Sequence, residues 1–435
     1  MTIPNIPLLT TSSMLIYDPM KIFFEQSPII DNKYFPKLSA TLLIQDASTI
    51  IYKKSYNKVS FSKLNFNKVD KSNKNYHLCD HKIMKIMKQI FSQRLKSARL
   101  MNGLSMDSLC EKINNIVSKQ SISKYEKGIM MPESTILIAL SKALNVNVDF
   151  FFRPYNVTVE DIEFRKKSKL KASSLKSIKE KVIDEIERYI EIENLLHMEN
   201  SFHIVYKDII KEKNDAITVA CRLRNDLKLG EDAISNITFL LEENGIKVVH
   251  LDAEVEFDGL SGFINKTTPF IIVNKNATAE RQRFTALYEL GYLLLNFAQE
   301  LQDKEREKLC NVFVNEMLIP TSEFIRLIGI SRKDISLQEL IFIQMQFGIS
   351  IDTLMYKAKE VGIITEQRYK GYCIKKKNST YFSEQIKKTR YPQEQSCRFL
   401  GLVYKAISQE IISISKASSL LNCSVNEIHS SLNFI

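Results

Sequence analysis

Between Leu95 and Val148 the apolar residues recur at helical spacing, and turn-forming residues interrupt them again and again. Leu95, Ala98, Leu104, Leu109, Ile113, Ile122, Tyr125, Ile136, Leu140, Leu144 and Val148 carry the pattern. Gly103-Leu104-Ser105 makes a turn with Ser105 as N-cap. Gly128 closes the helix that ends at Glu126-Lys127, and Pro132 stops the next segment. A chain that turns this often cannot run a long helix or a broad sheet here; it must pack short helices against each other. The full 435 residues exceed one ordinary core, and about 100–200 residues per domain gives two to four domains. With 44% hydrophobic and 26% charged residues the chain reads as globular, not fibrous or disordered. No apolar run approaches the ~18 residues of a membrane span, and Met1-Thr-Ile-Pro-Asn5 does not open a secretion signal. Seven scattered cysteines, an odd number with no CxxC, fit a reduced cytoplasmic protein better than a disulfide framework.

The net charge of +11 is unevenly placed. Residues 1–90 hold 13 Lys and 6 acids, a net +7, and residues 91–171 add +6, so the rest carries 11 − 7 − 6 = −2. An anionic partner is therefore expected at the front of the chain.

Composition and punctuation divide the chain into five parts. Residues 1–86 form a basic extension without a clean period, rich in Asn, Lys, Ser and Tyr, with one short strand-like run at Ser39–Ile44. It reads either as a solvated or over-called start, with Met84 or Met87 as the first residue, or as a basic nucleic-acid-binding arm. His77, Cys79 and His81 lie close together but lack a fourth zinc ligand nearby. Residues 87–153 are the short-helix domain. Residues 154–202 read as a charged helical linker whose apolar stripe suits either packing on the next domain or dimerisation. In residues 203–370, helices are expected near 204–228, 232–243, 280–297 and 304–318. Strands are expected at Ile246–Leu251 and Pro269–Asn274, with a turn flanked by Gly259 and Gly262. Residues 371–435 read as an irregular stretch followed by helices near 394–410 and 414–433. The fold class is α+β, mostly α.

Two motifs carry chemistry. The first runs through Phe91-Ser-Gln-Arg94-Leu95-Lys96-Ser-Ala98-Arg99, Gly103-Leu104-Ser105 and Val117-Ser118-Lys119-Gln120-Ser121-Ile122-Ser123-Lys124-Tyr125-Glu126-Lys127-Gly128. A helix near 105–113 and a second near 118–126 are joined by a short turn. The second turns Ile122 and Tyr125 inward and Lys119, Gln120, Ser121 and Lys124 outward. Gln can pair bidentately with adenine, and Ser or Lys suits base edges and phosphates. These residues resemble the Xre/Cro-type (phage-repressor-like) helix-turn-helix family over about 60 residues. The resemblance implies a five-helix DNA-binding domain. It implies base contacts from Gln120 and Ser121, and phosphate or neighbouring-base contacts from Lys119, Ser123 and Lys124. Where the family usually has Gln after the first N-cap serine, this chain has Met106, and its turn Asn114-Asn115-Ile116 is slightly longer.

The second motif is Glu280-Arg-Gln-Arg-Phe-Thr-Ala-Leu287-Tyr288-Glu289-Leu290-Gly291-Tyr292-Leu-Leu-Leu295. With Gly245–Val249, Phe257–Gly262, Glu307–Pro320 and Phe347–Ser350 it resembles the ImmA/IrrE metallopeptidase family over about 170 residues, which implies a zincin-like domain with a small sheet. In that family H-E-x-x-H puts two histidines on one helix face to hold zinc, and the Glu between them activates water. Here both histidine positions are tyrosine, Tyr288 and Tyr292. The resemblance makes Glu289 a vestigial general base and puts Glu316 at the third-ligand position. Phenol, with a pKa near 10, is a poor zinc ligand beside imidazole. The six histidines include none between 251 and 428, leaving His250 as the sole neighbour by sequence. Tyr288 and Tyr292 are then expected to fill the old metal cavity, hydrogen-bonding Glu289 or Glu316. Asp258 and Ser261 are expected to shape a turn.

Together these readings give a cytoplasmic regulator from a bacterium, phage or mobile element. It binds operator DNA as a homodimer and carries a degenerate peptidase domain that senses a small-molecule or protein effector, binds a partner or dimerises. No cofactor and no membrane association are expected. Two rivals stay open: an active zinc metallo-endopeptidase that cleaves a repressor, and an antitoxin-like interaction partner.

Overall fold

A computed structural model describes residues 74–154, 159–163, 171–198, 202, 204, 206–265 and 267–432. The strand-like run at Ser39–Ile44 and most of the basic extension lie outside the described residues, as do the side chains of His77, Cys79 and His81. The described chain divides into two compact units.

The first unit begins with α1 (Lys74–Met101), which starts ahead of the 87 boundary. It continues with α2 (Met106–Lys112), α3 (Lys119–Glu126), α4 (Ser134–Leu144) and a 3-10 turn (Val148–Phe152), and it includes the last two helices of the chain, α16 (Ile414–Leu421) and α17 (Val425–Ser431). Where five helices were expected, the region from α1 to the 3-10 turn has four α-helices and that turn. Most of the apolar set read from the sequence forms its core: Leu95, Ala98, Leu109, Ile113, Ile122, Tyr125, Leu140 and Leu144 are buried, whereas Leu104 and Ile136 are half-buried and Val148 is exposed. Arg94 is buried too, its guanidinium donating to the carbonyls of Arg153 (2.8 Å) and Pro154 (2.9 Å) and lying over the Phe150 ring. That ties α1 to the end of the 3-10 turn.

The second unit is built on a four-stranded sheet in the order β1-β4-β5-β3. The strands are β1 (Val159–Glu163), β3 (Lys247–Leu251), β4 (Gly259–Ile264) and β5 (Thr268–Asn274); β2 (Ile209–Ile210) pairs in parallel with β6 (Asn296–Phe297) in a separate ribbon. β3 runs parallel to β5, whereas β1–β4 and β4–β5 are antiparallel. The sheet is covered on both faces. Alternate residues Val249, Leu251, Phe270 and Ile272 meet Ile178, Val182 and Ile186 of α5 (Ala172–Leu195). The opposite set, Val248, Ile271 and Val273, enters the larger core with α8 (Ala279–Leu294) and α9 (Asp303–Leu318). That strict alternation is the period of a strand with two buried faces.

Several boundaries differ from the sequence reading. The linker is not helical throughout, since β1 adds an edge strand to the sheet. The stripe of α5 is spent on the sheet of its own chain. The helix expected near 204–228 is α6 (Lys213–Asp226), because Glu212 and Asp215 form a capping box there. The next is α7 (Ile237–Glu243), capped by Asn236. Gly259 and Gly262 lie inside β4 instead of flanking a turn. At Gly259 a Cβ would come within 2.5 Å of Thr285 Cγ2 and 2.6 Å of the Ile272 carbonyl, so this strand position admits only glycine. α8 stops at Leu294, ahead of β6. After α9 come α10 (Thr321–Ile328), α11 (Leu337–Phe347) and α12 (Ile351–Glu360), and the stretch after 370 read as irregular is helical, in α13 (Glu366–Asn378) and α14 (Thr380–Lys387). An extended strap then leads to α15 (Arg398–Ser408).

Arg283 holds this unit together. It is 1% exposed, pairs with Glu394 of the strap, and donates to the carbonyls of Ile234 (2.8 Å) and Phe347 (3.1 Å). Its room is made by Gly348, the left-handed cap of α11 (φ 60°), where a Cβ would sit 2.7 Å from Arg283 Cδ. Gly348→Ala should therefore destabilise the unit by about 2–4 kcal/mol, combining left-handed strain with displacement of a buried guanidinium. Urea denaturation of the full chain measures this, and an unchanged midpoint would refute it.

Candidate nucleic-acid interface and peptidase-like site

The helix pair α2–α3 is set by its caps. Ser105 accepts from the Ser108 amide (3.0 Å) and Ser118 from the Ser121 amide (3.3 Å), so each helix starts on a serine hydroxyl. Asn114 (φ 56°) and Asn115 (φ 54°) turn the chain through the left-handed region, which asparagine tolerates better than most residues. Leu109, Ile113, Val117, Ile122 and Tyr125 are buried between the helices. The far end of α3 is clamped: Arg99 grips Glu126 with two bonds (2.6 and 2.9 Å) and also donates to the Leu104 carbonyl (2.8 Å). A bidentate Arg–carboxylate pair fixes direction as well as distance.

The outward face of α3 holds the predicted contact residues unequally. Gln120 and Lys124 are exposed. Ser121 and Ser123 are half-buried, and the Ser121 hydroxyl lies 3.2 Å from that of Ser118, inside the cap. Lys119 is exposed but paired with Asp107 of α2 at 2.6 Å. Sequence reasoning missed Asp107. Its position at the second residue of α2 was the available signal, since the starts of both helices lie near each other in such a pair.

In the second unit, α8 carries Tyr288, Glu289 and Tyr292. Tyr288 is 1% exposed and its hydroxyl donates to that of Tyr292 at 3.4 Å, the two rings 5.2 Å apart. Glu289 is 3% exposed and accepts from Ser261 of β4 at 2.9 Å. Ser261, expected to shape a turn, is thus a strand residue aimed at the carboxylate. Asp258 pairs with Arg281 through two bonds (3.0 and 2.7 Å). Gly291 lets α9 close on α8, for a Cβ there would meet Phe313 at 3.2 Å and Cys310 at 3.3 Å.

Glu316, near the end of α9, is taken up by structure. It accepts from the Thr321 amide (2.8 Å), the Thr321 hydroxyl (2.7 Å) and the Lys357 ammonium (3.1 Å). Lys357 also donates to the carbonyls of Asn315 (3.1 Å) and Ile319 (2.5 Å), and burial pushes its pKa down against the opposing pull of Glu316. His250 sits on β3, its imidazole pushed below the ordinary range by burial, with Glu394 and Lys275 as its charged neighbours.

Comparison with known proteins agrees with both geometries. Residues 95–151 match the helix-turn-helix family, and residues 241–359 match the IrrE N-terminal-like domain. The chain joins an Xre-type helix-turn-helix domain to an IrrE-like domain. Similar relatives include an uncharacterized HTH-type transcriptional regulator of Rickettsia prowazekii (strain Madrid E), 36% identical over 70 residues, 16% of this chain and 52% of the relative. A second, from Rickettsia conorii (strain ATCC VR-613 / Malish 7), is 34% identical over 70 residues, 16% of this chain and 54% of the relative. The chain thus spans about half the length of the curated relatives it matches. No described helix is long and apolar enough to cross a membrane.

The zinc that an IrrE-like domain implies does not fit the donors this chain offers. Two phenols stand where imidazoles are needed, and Glu316 already accepts three hydrogen bonds. Among the described residues no group of three or more His, Cys, Asp or Glu is placed to hold a metal ion. The pairing of Lys357 with Glu316 makes a structural prediction. Lys357→Met should cost about 3–5 kcal/mol by stranding a buried carboxylate, and adding Glu316→Gln should recover most of it. Thermal unfolding of the three proteins checks this; equal stability of the wild type and the single variant would contradict it.

Proposed function

We propose that the chain is a transcriptional regulator that reads operator DNA with α3 and uses its IrrE-like domain as a metal-free sensing or partner-binding module. The observation that carries the first part is the capped, clamped helix pair with Gln120 and Lys124 on its free face. In such a pair the second helix enters the major groove and its first residues meet base edges. Gln120 is the residue best suited to read a base, bidentately at adenine. Lys124 suits phosphate, where it positions without specifying. Ser121 serves mainly as part of the cap. Lys119 reaches phosphate only by leaving Asp107.

For the second part, support comes from what has become of the catalytic constellation. Glu289 keeps the place of the general base but is held by Ser261, and the positions that would hold zinc carry Tyr288 and Tyr292. A packed tyrosine pair on a helix joined to the sheet suits a module that responds to a bound effector or partner better than one that activates water. A homodimer would present two recognition helices one helical turn of DNA apart, the geometry that a palindromic operator needs.

Fluorescence anisotropy on selected operator duplexes tests the reading. Gln120→Ala should weaken specific binding by about 1–3 kcal/mol and relax one base position. Lys124→Ala should weaken every duplex alike and reduce the salt slope by about 1. Operator affinity unchanged in both variants would sink the assignment. Asp107→Asn should instead tighten binding about twofold to fivefold, the scale of one exposed ion pair, by freeing Lys119 and removing a charge that repels phosphate. Weaker binding by that variant would show that Asp107 positions Lys119 for DNA instead of holding it back.

A further inference from the structure

The last two helices share the serine caps of α2–α3, with a shorter turn between them. Ser413 caps α16 by accepting from the Lys416 amide (3.2 Å), and Ser424 caps α17 by accepting from the Glu427 amide (3.2 Å). Between Leu421 and Val425 lie only Asn422, Cys423 and Ser424, a turn of the length that joins DNA-binding helix pairs. Asn422 adopts the left-handed conformation (φ 50°, ψ 41°). Ser418 bonds across the turn to the Cys423 carbonyl at 2.6 Å. The small side chains of Ala417 and Ser418 are buried with Leu420 and Ile428, which lets the two helices approach closely. α16 and α17 belong to the same compact unit as α1–α4, and Ser419 donates to Asp149 of the 3-10 turn at 2.8 Å.

We infer that α16–α17 is a second helix-turn-helix whose α17 contacts duplex DNA beside the site read by α3. This rests on the DNA-binding reading of α3. The exposed residues of α17 include Asn426, His429 and Ser430. Asn426 and His429, three apart, share one helix face. Asn can pair bidentately with adenine, and Ser and His can hydrogen-bond base edges or phosphates. The one carboxylate on α17, Glu427, is turned onto the Ser424 amide (2.6 Å) in its capping box. A protein partner would need a large apolar or aromatic anchor at the centre of its interface. Val425, at 37% exposure, is the only exposed large apolar residue among the described residues of α17. α17 holds no Lys or Arg, so its contribution is to sequence preference more than to bulk affinity.

Selection of duplexes from a long randomised library by the full chain tests this. The wild type should enrich a site with two blocks of preferred bases, the second not an inverted repeat of the first. Asn426→Ala/His429→Ala should erase the second block only and lower affinity for the long site about tenfold. Gln120→Ala should degrade the first block only. Because Asn426 and His429 are exposed, the variant should unfold at the wild-type temperature; should it not, Asn426→Asp alone supplies the same comparison by setting a charge against the DNA. A single block, a plain inverted repeat, or a second block that survives the variant would overturn the inference while leaving the α3 reading intact. No enriched sequence at all would overturn both.

Discussion

Arg283 is the interaction on which the larger unit depends. One guanidinium, almost wholly removed from water, joins α8 to the segment before α7, to the end of α11 and to the strap before α15. A buried charge is costly unless it is paired and hydrogen-bonded. The chain meets that demand from three distant places, so none of them can move without stranding the others. Glu394 adds a further link by accepting from the Thr238 amide at 2.8 Å. α8, the helix of Tyr288, Glu289 and Tyr292, is therefore fixed at its first turns by contacts unrelated to any metal.

A second polar cluster extends the same logic to α5. Glu193 receives Lys247 of β3 (2.7 Å) and Arg398 of α15 (2.5 Å), and Arg398 also donates to Tyr189 (3.0 Å). Tyr189 in turn donates to Glu242 of α7, as does Ser396 of the strap. The strap thus carries Glu394 to Arg283 and Ser396 to Glu242, and Arg398 at the start of α15 reaches Glu193.

The parts legible in the sequence are those fixed by local rules. Serine caps at 105 and 118, the glycine after α3 and the helical spacing of the core all act within a few residues, and they located α2 and α3 closely. The buried strands β3 and β5 were visible as short apolar runs. What stayed hidden depends on partners far along the chain. β1 is charged and looks helical by composition; only pairing with β4 makes it a strand. Gly259 and Gly262 look like turn residues until the approach of α8 shows that β4 needs a position without a Cβ. The tyrosines at 288 and 292 and the carboxylate at 289 were recognisable by position. Ser261 as the partner of Glu289, and Lys357 as the partner of Glu316, could be found only from the fold, because 28 and 41 residues separate them.

The account holds that α8 packs tyrosines where a metal centre would need imidazoles. Zinc uptake by the full chain, after chelator treatment and dialysis against zinc, tests this most directly. The account predicts no tightly held zinc attributable to this site, with the same uptake in the wild type and in Tyr288→Phe. One zinc per chain in the wild type, lost in Tyr288→Phe, would contradict it.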